Sequence, residues 1–211
     1  MAANTGRHNK GNTTERQANS ERRSAIVRIA GEIFAEKGFR GTTVRDIAQK
    51  AEILSGSLYH HFDSKESIAD EILRSYWDEV IGTYRQVADD EETPPAAKVI
   101  VLIEASLELF ERHESAVRMM LNDYGYLVQV LPYIEDHMFI VENVWRKIIA
   151  QGIATGEFRS DLDPLLAYRT IMSSISGTAR WFRIGGRLSV ADVAHTMTTL
   201  FLGGMRNAPA G

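Results

Sequence analysis

Thr43-Val44-Arg45-Asp46-Ile47-Ala48-Gln49-Lys50-Ala51-Glu52-Ile53-Leu54-Ser55-Gly56-Ser57-Leu58-Tyr59-His60-His61-Phe62 is the stretch on which the reading of this 211-residue chain turns. Thr43 with Asp46 three residues on is a capping box. It opens a short helix whose inner face is Val44, Ile47, Ala48 and Ala51. A break at Glu52-Ile53 precedes a second short segment, Ser55 to Phe62. Ahead of both, Ile26, Ile29, Ala30, Ile33 and Phe34 form one apolar helical stripe, and Gly38 stands where that helix needs its C-terminal cap. One helix followed by two short ones across a tight turn is a helix-turn-helix unit. Ser55-Gly56-Ser57 gives the second short helix a small front end that lets backbone approach a major-groove floor, with hydroxyls for base edges or phosphates. Leu58 and Phe62 point back into the three-helix core, while Tyr59 and His60 face outward. Thr43 and Lys65 lie at helix N-termini, where backbone N–H groups and the dipole favour a phosphate.

Outward from this unit the pattern stays helical. Asp63 with Glu66 is expected to cap a long helix carrying Ile68, Ile72, Tyr76, Val80 and Tyr84 on one face. Residues 89–95, with two Asp, two Glu and two Pro, read as a linker. Helices are predicted at about 96–113, 115–130, 133–155, 164–184 and 190–206. Pro164 behind Asp163 starts the fourth of these, Gly185-Gly186 divides the last two, and Ser189 with Asp192 is another capping box. No strand pattern and no repeat appears, so the fold class is all-α with about nine helices. Residues 1–20 hold no Ile, Leu, Val or Phe and read as a disordered basic arm. The expected division is arm 1–20, helix-turn-helix DNA-binding domain 21–66, and a second helical domain 67–211. The long helix 64–88 touches both domains and is the expected lever between them.

Charge supports this division. The net charge is −4, but residues 1–62 hold ten Lys/Arg against six Asp/Glu, and residues 63–211 hold fourteen against twenty-two. A basic head on an acidic body is the asymmetry of a chain with one end at phosphate. The absence of cysteine excludes disulfides, thiolate metal sites and cysteine nucleophiles. Residues 1–23 lack the apolar core of a signal peptide, and Val99 to Ile103 is the longest aliphatic run, so a cytoplasmic protein without a membrane span is expected.

Residues 24–70 resemble the DNA-binding domain of the TetR family of bacterial transcriptional regulators. The run Phe34-Ala35-Glu36-Lys37-Gly38-Phe39-Arg40-Gly41-Thr42-Thr43-Val44-Arg45-Asp46-Ile47-Ala48 and the run Ser55 to Glu66 carry the likeness. Leu54 to Phe62 resembles in particular actinobacterial repressors of sterol and acyl-CoA catabolism in that family. The resemblance implies DNA contacts at Thr43, Ser55, Ser57, Tyr59, His60 and Lys65, with Arg45 and Gly56 completing the set. It implies a homodimer paired through its last two helices, binding a palindromic double-stranded DNA operator and released by a small-molecule effector, with an acyl-CoA or sterol-derived compound suggested. Ala191, Val193, Ala194, Met197, Leu200, Phe201, Gly203 and Gly204 agree with that pairing as an apolar last-helix face. Two positions depart from the family pattern. Glu52 replaces the usual turn glycine, implying a left-handed residue or a reshaped turn. Leu54 replaces the usual cap serine, shifting the expected cap to Ser55.

Aromatic and Met residues at helical spacing are ordinarily core, yet some of those in the second half are expected to line an effector cavity. The chosen candidates are Met119, Tyr124, Trp145, Met172, Ser176 and Arg180. No metal, cofactor or catalytic site is expected. His60 and His61 point to different helix faces, His113-Glu114 lacks a second histidine four residues on, and no phosphate-binding glycine loop or nucleophile elbow is present. The reading is therefore a ligand-responsive repressor and not an enzyme. The alternatives are a helical small-molecule-binding protein with a vestigial helix-turn-helix, or a DNA-binding activator.

Overall fold

The computed structural model describes residues 9–207, with side chains from residue 16 onward. Among them are nine helices: α1 Asn9–Lys37, α2 Val44–Lys50, α3 Ser55–Tyr59, α4 Lys65–Asp89, α5 Pro95–Arg112, α6 Glu114–Val130, α7 Tyr133–Ala154, α8 Pro164–Trp181 and α9 Val190–Met205. An isolated antiparallel bridge joins Phe158 to Arg206. The described residues divide into two compact units, with the division between Ile72 and Leu73. The dividing point falls inside α4, after the buried Ile68, Ala69 and Ile72.

In the first unit, Ile26, Ala30, Ile33 and Phe34 form the buried stripe of α1. Gly38 ends that helix with a φ of 78° and donates to the Phe34 carbonyl. Phe39 then packs on Phe34 with ring centroids 5.0 Å apart. Gly41 admits no side chain, because a Cβ there would stand 2.7 Å from the Lys37 carbonyl oxygen.

Residues 9–20, read from sequence as part of a disordered arm, are helical and continue α1 toward the N-terminus; residues 1–8 lie outside the described residues. Propagating an existing helix needs one hydrogen bond per added residue and no buried face, and 9–20 contain no proline. The start of α4 also differs from expectation. Ser64 caps it, accepting from the Ser67 N–H at 3.2 Å, while the Ser64 N–H donates to Ser67 Oγ. The cap thus lies one residue beyond Asp63.

In the second unit, α9 packs on α5, and α7 lies against both α5 and α8. Asp163 caps α8 and Ser189 with Asp192 caps α9. The turn before α8 is fixed by Gly156 at φ 79° and by Phe158, whose buried ring fills the space beside Gly152. Glu157 accepts from the Ala96 N–H and so satisfies the first turn of α5. The last-helix face expected for pairing needs correction: Val193, Ala194 and Met197 are buried within the chain. Ala191, Leu200, Gly203 and Gly204 stay exposed and Phe201 half-buried. Leu166 and Trp181 on α8, and Leu188 beyond it, extend this open apolar surface. The reason is geometric: α9 is apolar on two sides, and α5 takes one of them.

Candidate nucleic-acid interface and ligand cavity

The helix-turn-helix is braced from within. Ile47, Ala48, Leu58 and Phe62 are buried, which fixes α2 and α3 against α1. Two cations then hold the backbone on either side. Arg23 pairs with Glu71 at 2.6 Å, stacks 4.0 Å over the Phe62 ring and donates to the His61 carbonyl. Lys65 Nζ donates to the Phe39 and Thr42 carbonyls, both at 3.0 Å, and lies 4.5 Å from the Phe39 ring centroid. Lys65 therefore holds the turn before α2 and keeps one N–H donor for an outside acceptor.

The turn between α2 and α3 adopts a Schellman-type C-cap. The Ile53 N–H donates to the Ala48 carbonyl and the Glu52 N–H to that of Gln49, with Glu52 at φ 55°. Of the two implied geometries, the left-handed residue is the one adopted. The cap of α3 does not move to Ser55: Leu54 is the N-cap residue and supplies no side-chain bond. That leaves the first N–H groups of α3 for an outside acceptor.

Thr43 starts α2 with both of its donors engaged. Its N–H and its hydroxyl bond to Asp46 Oδ2 at 2.8 and 2.5 Å, and the Asp46 N–H returns a bond to Thr43 Oγ1. These bonds, with the Thr43 hydroxyl foremost, hold the Asp46 carboxyl below its ordinary range. Arg45, Ser55, Gly56, Tyr59 and His60 are exposed, and Ser57 is half-buried. Tyr59 is 55% exposed with no packing role to account for it. Gly56 has no internal reason to be glycine either, since an added Cβ would meet nothing within 4 Å. Two neighbours escaped the sequence reading. Leu54 is 79% exposed at the front of α3, where an apolar side chain suits a thymine methyl. Arg40 is exposed in the turn before α2, inside the run Phe34 to Ala48.

The second unit holds a cavity of about 320 Å³ among α4, α5, α6, α7 and α8, open to solvent beside Leu121, Tyr124 and Met138. Tyr76, Trp77, Phe110, Tyr124 and Tyr168 supply aromatic wall, and Ser106, Ser176 and Tyr84 supply hydroxyls. Tyr84 bonds to Ser106 at 2.8 Å and receives the Trp145 indole N–H at 3.2 Å. Burial pushes the Tyr76 and Tyr84 phenols upward, and that of Tyr168 to about 12, so all three are neutral at physiological pH.

Of the six effector candidates, Tyr124, Met172 and Ser176 line this cavity. Met119 and Trp145 do not; both are fully buried core, and Trp145 acts behind the wall through Tyr84. Arg180 is exposed and outside the lining. Periodicity identifies an inward face but not whether that face meets a neighbour or a void. Tyr84 and Ser106 were missed because their meeting joins two helices 22 residues apart.

Two family models match the chain: bacterial regulatory proteins of the tetR family over residues 26–72, and the tetracyclin repressor-like C-terminal domain over residues 92–205. The HTH-type transcriptional repressor KstR2 of Mycobacterium tuberculosis is 40% identical over 191 residues, covering 90% of this chain and 94% of that protein. KstR2 of Rhodococcus jostii is 39% identical over 188 residues, covering 88% and 92%. The solved structure of the ketosteroid transcriptional regulator KstR2 of Mycobacterium tuberculosis matches with a TM-score of 0.85 at 39% identity, over 89% of this chain and 96% of that one.

Proposed function

The chain belongs to the TetR family of bacterial regulatory proteins, and from that premise we propose that it is a transcriptional repressor that binds a palindromic operator as a homodimer and leaves it when a small molecule fills the second-unit cavity. The observation that carries this is the outward face of α3. Ser55, Gly56 and Tyr59 on α3, and His60 at its C-terminal cap, are exposed on an element whose opposite side is buried, and no packing among the described residues explains them. Arg45, Ser57 and the remaining Lys65 donor complete the DNA-facing set, with Thr43 setting the start of α2 rather than donating. Leu54 and Arg40 join it.

One such module makes too few contacts for tight binding, so two copies reading half-sites about 34–36 Å apart are needed. The exposed α8 and α9 surface of Leu166, Trp181, Leu200, Gly203 and Gly204 is the pairing face. The two glycines meet nothing within 4 Å, which leaves room for a second helix to approach closely. Effector binding shifts the population toward a dimer that no longer matches the operator, at a coupling of about 1–3 kcal/mol. Helix α4 belongs to both units and is the element that transmits the change. The likeness to a ketosteroid transcriptional regulator supports a sterol-derived effector; an acyl-CoA compound, a cytoplasmic location and no catalysis belong to the same proposed reading. No described helix is long and apolar enough to cross a membrane.

Selection of fragments from sheared source-genome DNA tests this reading, with Tyr59→Ala as the control. Enrichment of one palindrome by the parent protein alone is the expected result. A folded protein that enriches nothing at low salt would remove the DNA-binding role.

A further inference from the structure

Three hydrogens run in one direction through the wall of the cavity. The Leu102 carbonyl has no hydrogen to give, so its 2.6 Å contact with Ser106 Oγ holds the single hydroxyl hydrogen of Ser106. Ser106 Oγ, 2.8 Å from the Tyr84 oxygen, is therefore an acceptor there, and the phenol hydrogen is committed to it. Trp145, a donor only, gives its indole N–H to the Tyr84 oxygen at 3.2 Å. Every hydrogen of the trio is consumed, and what Tyr84 and Ser106 still offer the cavity is lone pairs. Among the described residues, no Lys, Arg, His, Asp or Glu lines the cavity. A carboxylate or phosphate inside it gains no counter-charge, only the hydroxyls of Tyr76, Tyr168 and Ser176.

We infer that the cavity selects an effector whose enclosed part is uncharged, compact and mainly apolar, and which directs a hydroxyl or N–H donor at the paired oxygens of Tyr84 and Ser106. This rests on the reading of the cavity as the effector site. A ligand carbonyl brought to the same place sets lone pairs against lone pairs, while a hydroxyl completes the chain. The volume of about 320 Å³ lies at the small end of ligand sites and suits a fused-ring or medium-length hydrocarbon body.

Calorimetric titration of the full-length protein with decalinol, decalone and decalin carboxylate, and with dodecanol against dodecanoate, tests the inference. Each alcohol binds roughly tenfold more tightly than its same-skeleton partners. Ser106→Ala removes the acceptor of the phenol hydrogen and frees Tyr84 to donate. The change favours helix, and far-UV circular dichroism checks the fold. In that variant the alcohol-to-ketone ratio falls by roughly tenfold, whereas Ser106→Thr, which keeps the hydroxyl, retains the parent ratio. A ketone or carboxylate that equals its alcohol overturns the inference. So does the failure of every alcohol to bind up to its solubility, or an unchanged ratio in Ser106→Ala. Operator binding is measured separately without ligand; its loss counts against the regulator reading and leaves the head-group preference to the calorimetry.

Discussion

The outward face of α3 and the cavity of the second unit are opposite solutions to recognition. The first lies on one stretch of continuous sequence, Leu54 to His60, mainly polar and exposed on one side and held from behind by Leu58 and Phe62. The second gathers its wall from five helices, faces inward and is mainly apolar. A surface that reads DNA needs its groups in solvent at fixed spacing, which one short helix provides. A site that encloses a small molecule needs walls on all sides, and only distant segments supply them. Local sequence therefore carries the one and tertiary packing the other.

Four substitutions test that contrast. The largest effect falls on Leu58→Ala, which empties a fully buried position behind α3 and costs about 2–5 kcal/mol. Operator binding is lost while the cavity still titrates with alcohol; loss of both would mean that the two regions do not fail independently. Next is Gly152→Ala. Its Cβ would lie 2.2 Å from the Phe158 ring, and overpacking of this kind costs about 1–3 kcal/mol. Denaturant unfolding reads the cost, and an unshifted midpoint would show that Phe158 moves aside freely. Glu52→Gly acts in the other direction, releasing a left-handed non-glycine residue for a gain of about 1 kcal/mol. Gly56→Ala gives the smallest stability change, a gain of about 0.5–1 kcal/mol inside a helix. On the proposed interface it nevertheless weakens operator binding, because its methyl group then fills space assigned to the DNA. Operator affinity equal to the parent's would remove Gly56 from the contact surface.

The same contrast explains what could be read in advance. The Thr43–Asp46 and Ser189–Asp192 boxes, the Gly38 cap and the inward Leu58 and Phe62 are relations over a few residues, so spacing alone locates them. The capping of α4 shifted by one residue because serine and aspartate stand side by side and both cap well. On α9, periodicity identifies an apolar helix but not which side α5 covers, so Val193, Ala194 and Met197 read as part of an open face although they are buried. Tyr124, Met172 and Ser176 belong to the cavity wall, while the equally apolar Met119 and Trp145 do not. That distinction depends on where five helices leave a gap, which no single helix encodes.

The Trp145–Tyr84 bond has an optical consequence. The chain has three tryptophans, and Trp77, Trp145 and Trp181 all belong to the second unit. Trp77 stands in the cavity wall, Trp145 behind it and Trp181 on the open surface of α8. Selective indole excitation thus illuminates the second unit and leaves the first unit dark. On the proposed reading, the protein carries its own reporter of cavity occupancy, one whose signal originates entirely outside the α3 face.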